Sequence, residues 1–79
     1  MGGPVRLNGV EMYGFMVWSG DDVRVRISLD EWERSGFHPG LQVQVRAAGG
    51  DGQFLLASVE QSPPMVWLSF RSLKARVAS

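Results

Sequence analysis

The chain has 79 residues, a formal net charge of zero at pH 7, no cysteine and one histidine. A chain of this length is expected to form one domain that buries only a little over ~60% of the surface exposed by its unfolded form. Without cysteine, disulfides and thiolate zinc ligands are excluded, so added stability is expected from packing or self-association. Eight basic residues balance eight acidic ones, so no overall field attracts a polyanion.

The N-terminal residues predict neither an exported precursor nor a membrane protein. Residues 1–11 contain no basic segment followed by an apolar core, and no window approaches the ~20 apolar residues that cross a bilayer. Since cysteine is also absent, we expect a cytoplasmic protein without a membrane partner.

The first predicted element is a hairpin with Asn8-Gly9 as its turn, because both positions accept positive φ. It joins a strand over residues 5–7 to one over residues 10–18. The second strand has two apolar faces, with Tyr13, Phe15 and Val17 on one and Met12, Met16 and Trp18 on the other. Such a strand is buried on both sides or partly exposed as a contact surface. Gly14 within it predicts a bulge or a close backbone approach.

Residues 22–45 predict a strand, a short helix and a second strand. Apolar and polar residues alternate from 22 to 29, which is typical of a half-buried strand. Ser28 or Asp30 can cap a helix over residues 31–35, and Gly36 suits the left-handed conformation that ends a helix. Trp32 and Phe37 are its expected core anchors, with the helix closing an end of a barrel. Alternation resumes at residues 42–46.

The remaining segments complete an all-β, mainly antiparallel barrel. A glycine-rich loop at residues 48–52 precedes a strand over residues 54–59, and Ser62-Pro63-Pro64 separates that strand from another over residues 65–70. Residues 73–77 form a brief last strand or a frayed tail. The spacing predicts a small barrel of five or six strands with one short helix. Residues 1–79 are one domain, with residues 1–4 and 74–79 expected to be loosely ordered.

Support for catalysis is weak. His38 is the one histidine, the residue type most often used as a general acid or base, and it lies in a turn beside Pro39. Most acidic residues lie in turns or at the helix start, where local structure favours them. The loop at residues 49–52 lacks the Lys and Ser/Thr of a phosphate-binding loop. We therefore expect no catalytic residue, metal site or cofactor. The alternative is an enzyme whose site forms at an oligomer interface from His38 and turn carboxylates.

Two surfaces are candidate functional sites. If the two alternating strands are neighbours, guanidiniums and amides line one face and suit phosphate oxygens and base edges; the alternative is a solvated face. This candidate nucleic-acid or ligand face consists of Arg24, Arg26, Gln42, Gln44 and Arg46. Aromatic residues and Met are enriched at protein interfaces, which suggests an oligomer interface, unless the barrel interior absorbs them. The candidates are Met12, Met16, Trp18, Met65 and Trp67.

The segment over residues 23–59 also resembles a known family. The resemblance is carried by Ile27-Ser28-Leu29, Trp32, Gly36-Phe37, Gly40, Val43 and Val45. This pattern resembles the AbrB-like swapped-hairpin domains, in particular the SymE-type toxins. The resemblance implies two chains that interleave into one barrel and bind DNA, here through Arg24, Arg26 and Arg46. A second likeness, to SH3-like small barrels, is architectural.

The sequence thus leaves two functional hypotheses. The first is a non-enzymatic binding or interaction module that forms a homo-oligomer, with an unknown small-molecule or macromolecular ligand. The second is an AbrB-like nucleic-acid-binding regulator that uses the outward arginines of its strands.

Overall fold

Six strands with alternating inward and outward side chains close into a barrel, with one short helix, in the computed structural model, which describes residues 2–73. The elements in chain order are β1 (Gly2–Leu7), β2 (Val10–Ser19), β3 (Asp22–Ser28), α1 (Leu29–Ser35), β4 (Gln42–Ala47), β5 (Gly50–Ser62) and β6 (Met65–Ser72). The predicted all-β class with one helix is confirmed, and the barrel has six strands. Residues 74–77 of the predicted last strand or tail lie outside the described residues.

The barrel consists of two three-stranded meanders, β1-β2-β3 and β4-β5-β6, connected through α1. Antiparallel pairing of β3 with β6 and of β1 with β4 closes it. The strand order around the barrel is β1-β2-β3-β6-β5-β4. Two strands therefore separate β3 from β4 in either direction, and these two strands lie on opposite sides of the barrel.

The predicted hairpin at Asn8-Gly9 is present. Both residues have positive φ, 54° and 81°, and Leu7 pairs with Val10 across the turn. Asn8 also attaches the turn to β4 through two hydrogen bonds of 2.8 Å. Its backbone N–H donates to the Gln44 backbone carbonyl, and its side-chain Oδ1 atom accepts from the Gln44 backbone N–H. Residues 2–4, expected to be loosely ordered, pair with residues 13–15 as part of β1.

Helix α1 begins at Leu29, two residues earlier than predicted, because Ser28 is its N-cap. The Ser28 hydroxyl accepts from the Glu31 amide at 3.1 Å and donates to the Glu31 carboxylate at 3.2 Å. Gly36 follows the helix in the left-handed conformation, with φ of 72°, as predicted. Leu29 and the predicted anchors Trp32 and Phe37 are partly buried and pack against the barrel core.

The barrel interior is filled by apolar side chains from all six strands. Its buried members are Val5, Leu7, Met12, Met16, Val23, Val25, Ile27, Val43, Val45, Phe54, Leu56, Val66, Leu68 and Phe70. No polar or charged side chain is buried in the described part of the chain. Met12 and Met16 are only 6% and 3% exposed. Their predicted role at an oligomer interface is therefore wrong, because both point into the barrel.

Gly14 lies on the inward face of β2, where β3 passes very close. A Cβ atom on Gly14 would lie 3.0 Å from the Val25 Cγ1 atom and 3.1 Å from the Arg26 carbonyl oxygen. The close backbone approach expected at this glycine is thus observed. The lack of a side chain at residue 14 permits this close approach of β2 and β3.

We predict that Gly14→Ala destabilises the protein by about 1–3 kcal/mol, because the added methyl group overpacks the contact between β2 and β3. Gly3→Ala is the matched control, since no atom lies within 4 Å of its added Cβ. The control should be neutral or slightly stabilising through reduced entropy of the unfolded chain. Urea unfolding measures both changes, and equal midpoints for the two variants would contradict the packing argument.

Candidate interaction surface

The five residues of the predicted nucleic-acid or ligand face do not form one surface. Arg24 and Arg26 lie on β3, while Gln42, Gln44 and Arg46 are exposed on β4. Because β3 and β4 lie on opposite sides of the barrel, the condition that these strands are neighbours is not met. On the β4 side, Arg46 lies 3.8 Å from the Asp51 carboxylate, in an exposed ion pair that contributes little stability.

A different cluster forms around the two arginines of β3. Phe15 on β2 is opposite Arg26, and Arg26 is opposite Trp67 on β6, so these outward side chains form one row across three strands. Tyr13, which is 71% exposed, lies outward on β2 next to this row. We call this surface the aromatic–arginine face and define it as Tyr13, Phe15, Arg24, Arg26, Met65 and Trp67.

Rings and guanidiniums alternate within this face. The Arg26 Cζ atom lies 5.2 Å from the Phe15 ring centroid and 5.7 Å from that of Trp67. The Arg24 Cζ atom lies 4.6 Å from the Trp67 centroid. The Phe15 and Trp67 rings also meet edge to face, with centroids 6.5 Å apart and planes at 88°. Cation–π and edge-to-face contacts therefore restrain these side chains before any partner arrives.

The two arginines differ in their electrostatic surroundings. Arg24 has a counter-ion, since its Nη2 atom lies 3.9 Å from the Glu60 Oε1 atom. Arg26 has no ion pair with the described residues, and its Nε atom is buried without a hydrogen-bond acceptor among them. Arg26 is therefore a half-buried cation that two rings flank and that no described carboxylate neutralises.

The predicted oligomer-interface residues separate into three groups. Met65 and Trp67 lie half-exposed on the aromatic–arginine face, whereas Met12 and Met16 belong to the core. Trp18 covers one end of the barrel, where its ring contacts Phe54 with centroids 6.2 Å apart. A Cβ on Gly49 would lie 2.9 Å from the Trp18 Nε1 atom, so glycine there lets the loop pass beneath the indole.

Tyr13 and Phe15 belong to the aromatic–arginine face, although the predicted oligomer interface took Met12, Met16 and Trp18 from the other face of β2. The sequence contains a usable signal for them. Gly14 shares a face of β2 with Met12 and Met16, and a glycine is suited to the crowded interior. The opposite face, with Tyr13 and Phe15, is then the outward one.

Two of the clefts on the described part of the surface adjoin candidate residues. One, of about 320 Å³, lies at the Trp18 end of the barrel and is bordered by Gly49, Asp51 and Phe54 among others. The other, of about 140 Å³, lies on the aromatic–arginine face between Gly2 and Met65. The remaining residues that line this second cleft are Tyr13, Gly14, Phe15 and Arg26.

Within a single chain, the groups named for the enzymatic alternative are exposed side chains on different segments. His38 is exposed, and its Nδ1 atom lies 3.1 Å from the Pro39 carbonyl oxygen. Asp21 and Asp51 border the cleft at the Trp18 end, whereas His38 follows α1. Residues 2–73 contain no group of three or more His, Asp or Glu side chains placed to hold a metal ion. Within the same residues, no helix has the length and apolar character needed to cross a membrane.

Comparison with known proteins gives no relative: no protein-family model matches the chain, and neither a curated protein nor a solved structure shows significant similarity to it. The resemblance to AbrB-like swapped-hairpin domains and to SH3-like barrels stays a prediction. The resemblance implies two interleaved chains, whereas the barrel described here closes within a single chain.

We predict a measurable coupling between Arg24 and Trp67. In a double-mutant cycle with Arg24→Met and Trp67→Leu, the coupling free energy should be about 0.5–1 kcal/mol, as for exposed cation–π pairs. Arg46→Met with Trp67→Leu is the control cycle, and its coupling should be near zero because β4 does not adjoin β6. Chemical unfolding of all variants gives both values. Equal couplings in the two cycles would show that the contact has no energetic role.

Proposed function

We propose that this protein is a non-enzymatic interaction module that associates with protein surfaces through the aromatic–arginine face, and that it forms a homo-oligomer by the same face. The observation that supports this proposal is the row Phe15–Arg26–Trp67 on the outside of a closed barrel. Trp, Tyr and Arg are the residue types that most often dominate binding energy at protein interfaces, and Met and Phe are enriched there.

The position of these side chains supports an intermolecular role. The interior is already filled by apolar side chains, and the outward rings add nothing to it. Tyr13, at 71% exposure, and Val17, at 42%, extend the apolar character of the outward surface of β2. An apolar patch rimmed by polar groups on a small protein is typical of a contact surface. Here Glu60 and Ser69 lie at its border on β5 and β6.

Prior ordering of the side chains also favours binding. Arg24 and Arg26 pack against rings in the free protein, so less rotamer entropy is lost when a partner covers them. Each ring of the row is held by a cation or by another ring. A partner would bind a surface whose side chains already have their bound rotamers.

Nucleic-acid binding is the second candidate, because rings interleaved with guanidiniums are also the chemistry of single-strand binding surfaces. Three observations favour a protein partner. The net charge is zero, Arg24 is paired with Glu60, and the Trp67 ring is in contact with the Arg24 guanidinium. A base stacking on that side of Trp67 would have to displace Arg24.

Sedimentation velocity over a concentration series tests the proposal. We expect the wild-type chain to self-associate, and Trp67→Ser to weaken the association by about tenfold or more, as for a central interface residue. Val10→Ser is the matched control, because Val10 is an exposed apolar residue, 55% accessible, that lies outside the aromatic–arginine face. The control should associate as the wild type does. A monomer at every concentration would contradict the homo-oligomer, and equal effects of both substitutions would contradict the choice of face.

Fluorescence anisotropy with single-stranded DNA and RNA tests the second candidate. If the face binds nucleic acid, affinity should fall steeply as salt concentration rises, and Arg26→Gln should reduce it. Arg46→Gln, on the opposite side of the barrel, is the control. Our proposal predicts no salt-sensitive binding that depends on Arg26, and observing such binding would favour the nucleic-acid function.

A further inference from the structure

The arginines on the strands differ in their exposure and in their ion pairs. Arg6, Arg24 and Arg46 each have a carboxylate nearby, from Glu11, Glu60 and Asp51 at 3.7, 3.9 and 3.8 Å. All three are exposed to solvent. Arg26 is half-buried, and no described carboxylate pairs with it. Arg26 is therefore the least exposed of these four arginines, and it has no counter-ion among the described residues.

Two further arginines, Arg34 and Arg71, have no ion pair within the described residues, but unlike Arg26 they are exposed to water. A guanidinium has five N–H donors in a planar fork, and leaving them unpaired is costly once water is removed. When a partner covers the aromatic–arginine face, Arg26 is the group that most requires an acceptor.

We propose that Arg26 is a carboxylate-binding site for an acidic protein segment, in which one Asp or Glu is flanked by apolar side chains. This inference rests on the proposed function and names the chemistry that the partner supplies. The carboxylate pairs with the Arg26 guanidinium, and charge-assisted pairing of this kind is stronger than a neutral hydrogen bond. An apolar neighbour occupies the cleft of about 140 Å³ beside Arg26, bordered by Tyr13, Phe15 and Met65.

Charge considerations favour a single carboxylate over a chain of phosphates. Nucleic-acid affinity comes mainly from neutralising several phosphates at once. The face has two cations, and Arg24 is already paired with Glu60. Glu60 would also lie close to any further phosphate and repel it. One unpaired cation between two rings matches one negative charge with apolar groups on each side.

The two rings contribute to selectivity for a carboxylate-bearing segment. Phe15 and Trp67 lie on either side of Arg26 in the row, so they limit water access to an ion pair formed there. Coulomb attraction is stronger in such a partly desolvated environment than in open water. An amide of the same shape would gain neither the charge interaction nor the stronger hydrogen bonds. The site should therefore distinguish Asp from Asn.

The test uses two peptides that differ in one group, acetyl-Ala-Leu-Asp-Leu-Ala-amide and the same peptide with Asn in place of Asp. Each is titrated into the full ¹⁵N-labelled chain, kept dilute so that self-association does not compete, and followed by heteronuclear NMR. We expect the Asp peptide to shift the resonances of Phe15, Arg26 and the Trp67 indole. The Asn peptide should bind about tenfold to a hundredfold more weakly, as for loss of a charged hydrogen-bond partner.

Arg26→Gln should remove the difference between the peptides, and Arg46→Gln should keep it, because Arg46 lies on the opposite side of the barrel. Both variants change outward side chains, and their spectra show whether the fold is retained. Equal binding of the two peptides, or no binding of either at millimolar concentrations, would overturn the inference. If Trp67-dependent self-association is observed in that case, the proposed function still stands. Shifts of the same resonances by single-stranded oligothymidylate, but by neither peptide, would overturn the inference in favour of nucleic acid.

Discussion

Closure of the barrel is the constraint on which the rest of the structure depends. In a closed sheet every strand has one inward and one outward face, and successive side chains alternate between them. The interior of a six-stranded barrel accepts a limited volume, and here buried aliphatic and aromatic side chains from all six strands fill it. An apolar residue that is one position along the strand from an inward residue must then lie outside, whatever its hydrophobicity. Phe15 and Trp67 are outside for this reason.

The outward arginines have two consequences for the free protein. By lying against Phe15 and Trp67, they cover part of the ring surface and reduce the apolar area in contact with water. They also place positive charge at the centre of an apolar surface. An arrangement of this kind suits reversible association, because the surface is tolerated by the free chain and still offers rings and a cation to a partner.

Local features of the fold were accessible from the sequence because short-range chemistry determines them. Alternation of apolar and polar residues predicted the strands, Asn8-Gly9 the first hairpin, and Gly36 the helix end, and each is present. The helix start was predicted two residues late, because both Ser28 and Asp30 are suitable caps and the choice depends on where β3 ends. The spacing of two residues between Arg24 and Arg26 also predicted that they share a face of β3.

What could not be predicted depends on pairings between residues far apart in the chain. Alternation says which face a side chain occupies but not which strand lies beside it. For this reason Gln42, Gln44 and Arg46 were grouped with Arg24 and Arg26, although β6 and β2 are the neighbours of β3. Met12 and Met16 were misplaced because β2 has two apolar faces, so composition alone does not say which is inward. Gly14, pressed against β3, is the residue that identifies the inward face.

We propose that this barrel meets its partners through the aromatic–arginine face. Fluorine NMR of the chain labelled with 5-fluorotryptophan, recorded over a dilution series, tests it within one sample, because the three tryptophans occupy three different places. Trp67 lies on the face, Trp18 covers one barrel end, and Trp32 packs on the core from α1. We expect a concentration-dependent shift of the Trp67 signal, with the Trp18 and Trp32 signals unchanged. Three signals that stay constant at all concentrations, or a shift confined to Trp18, would contradict it.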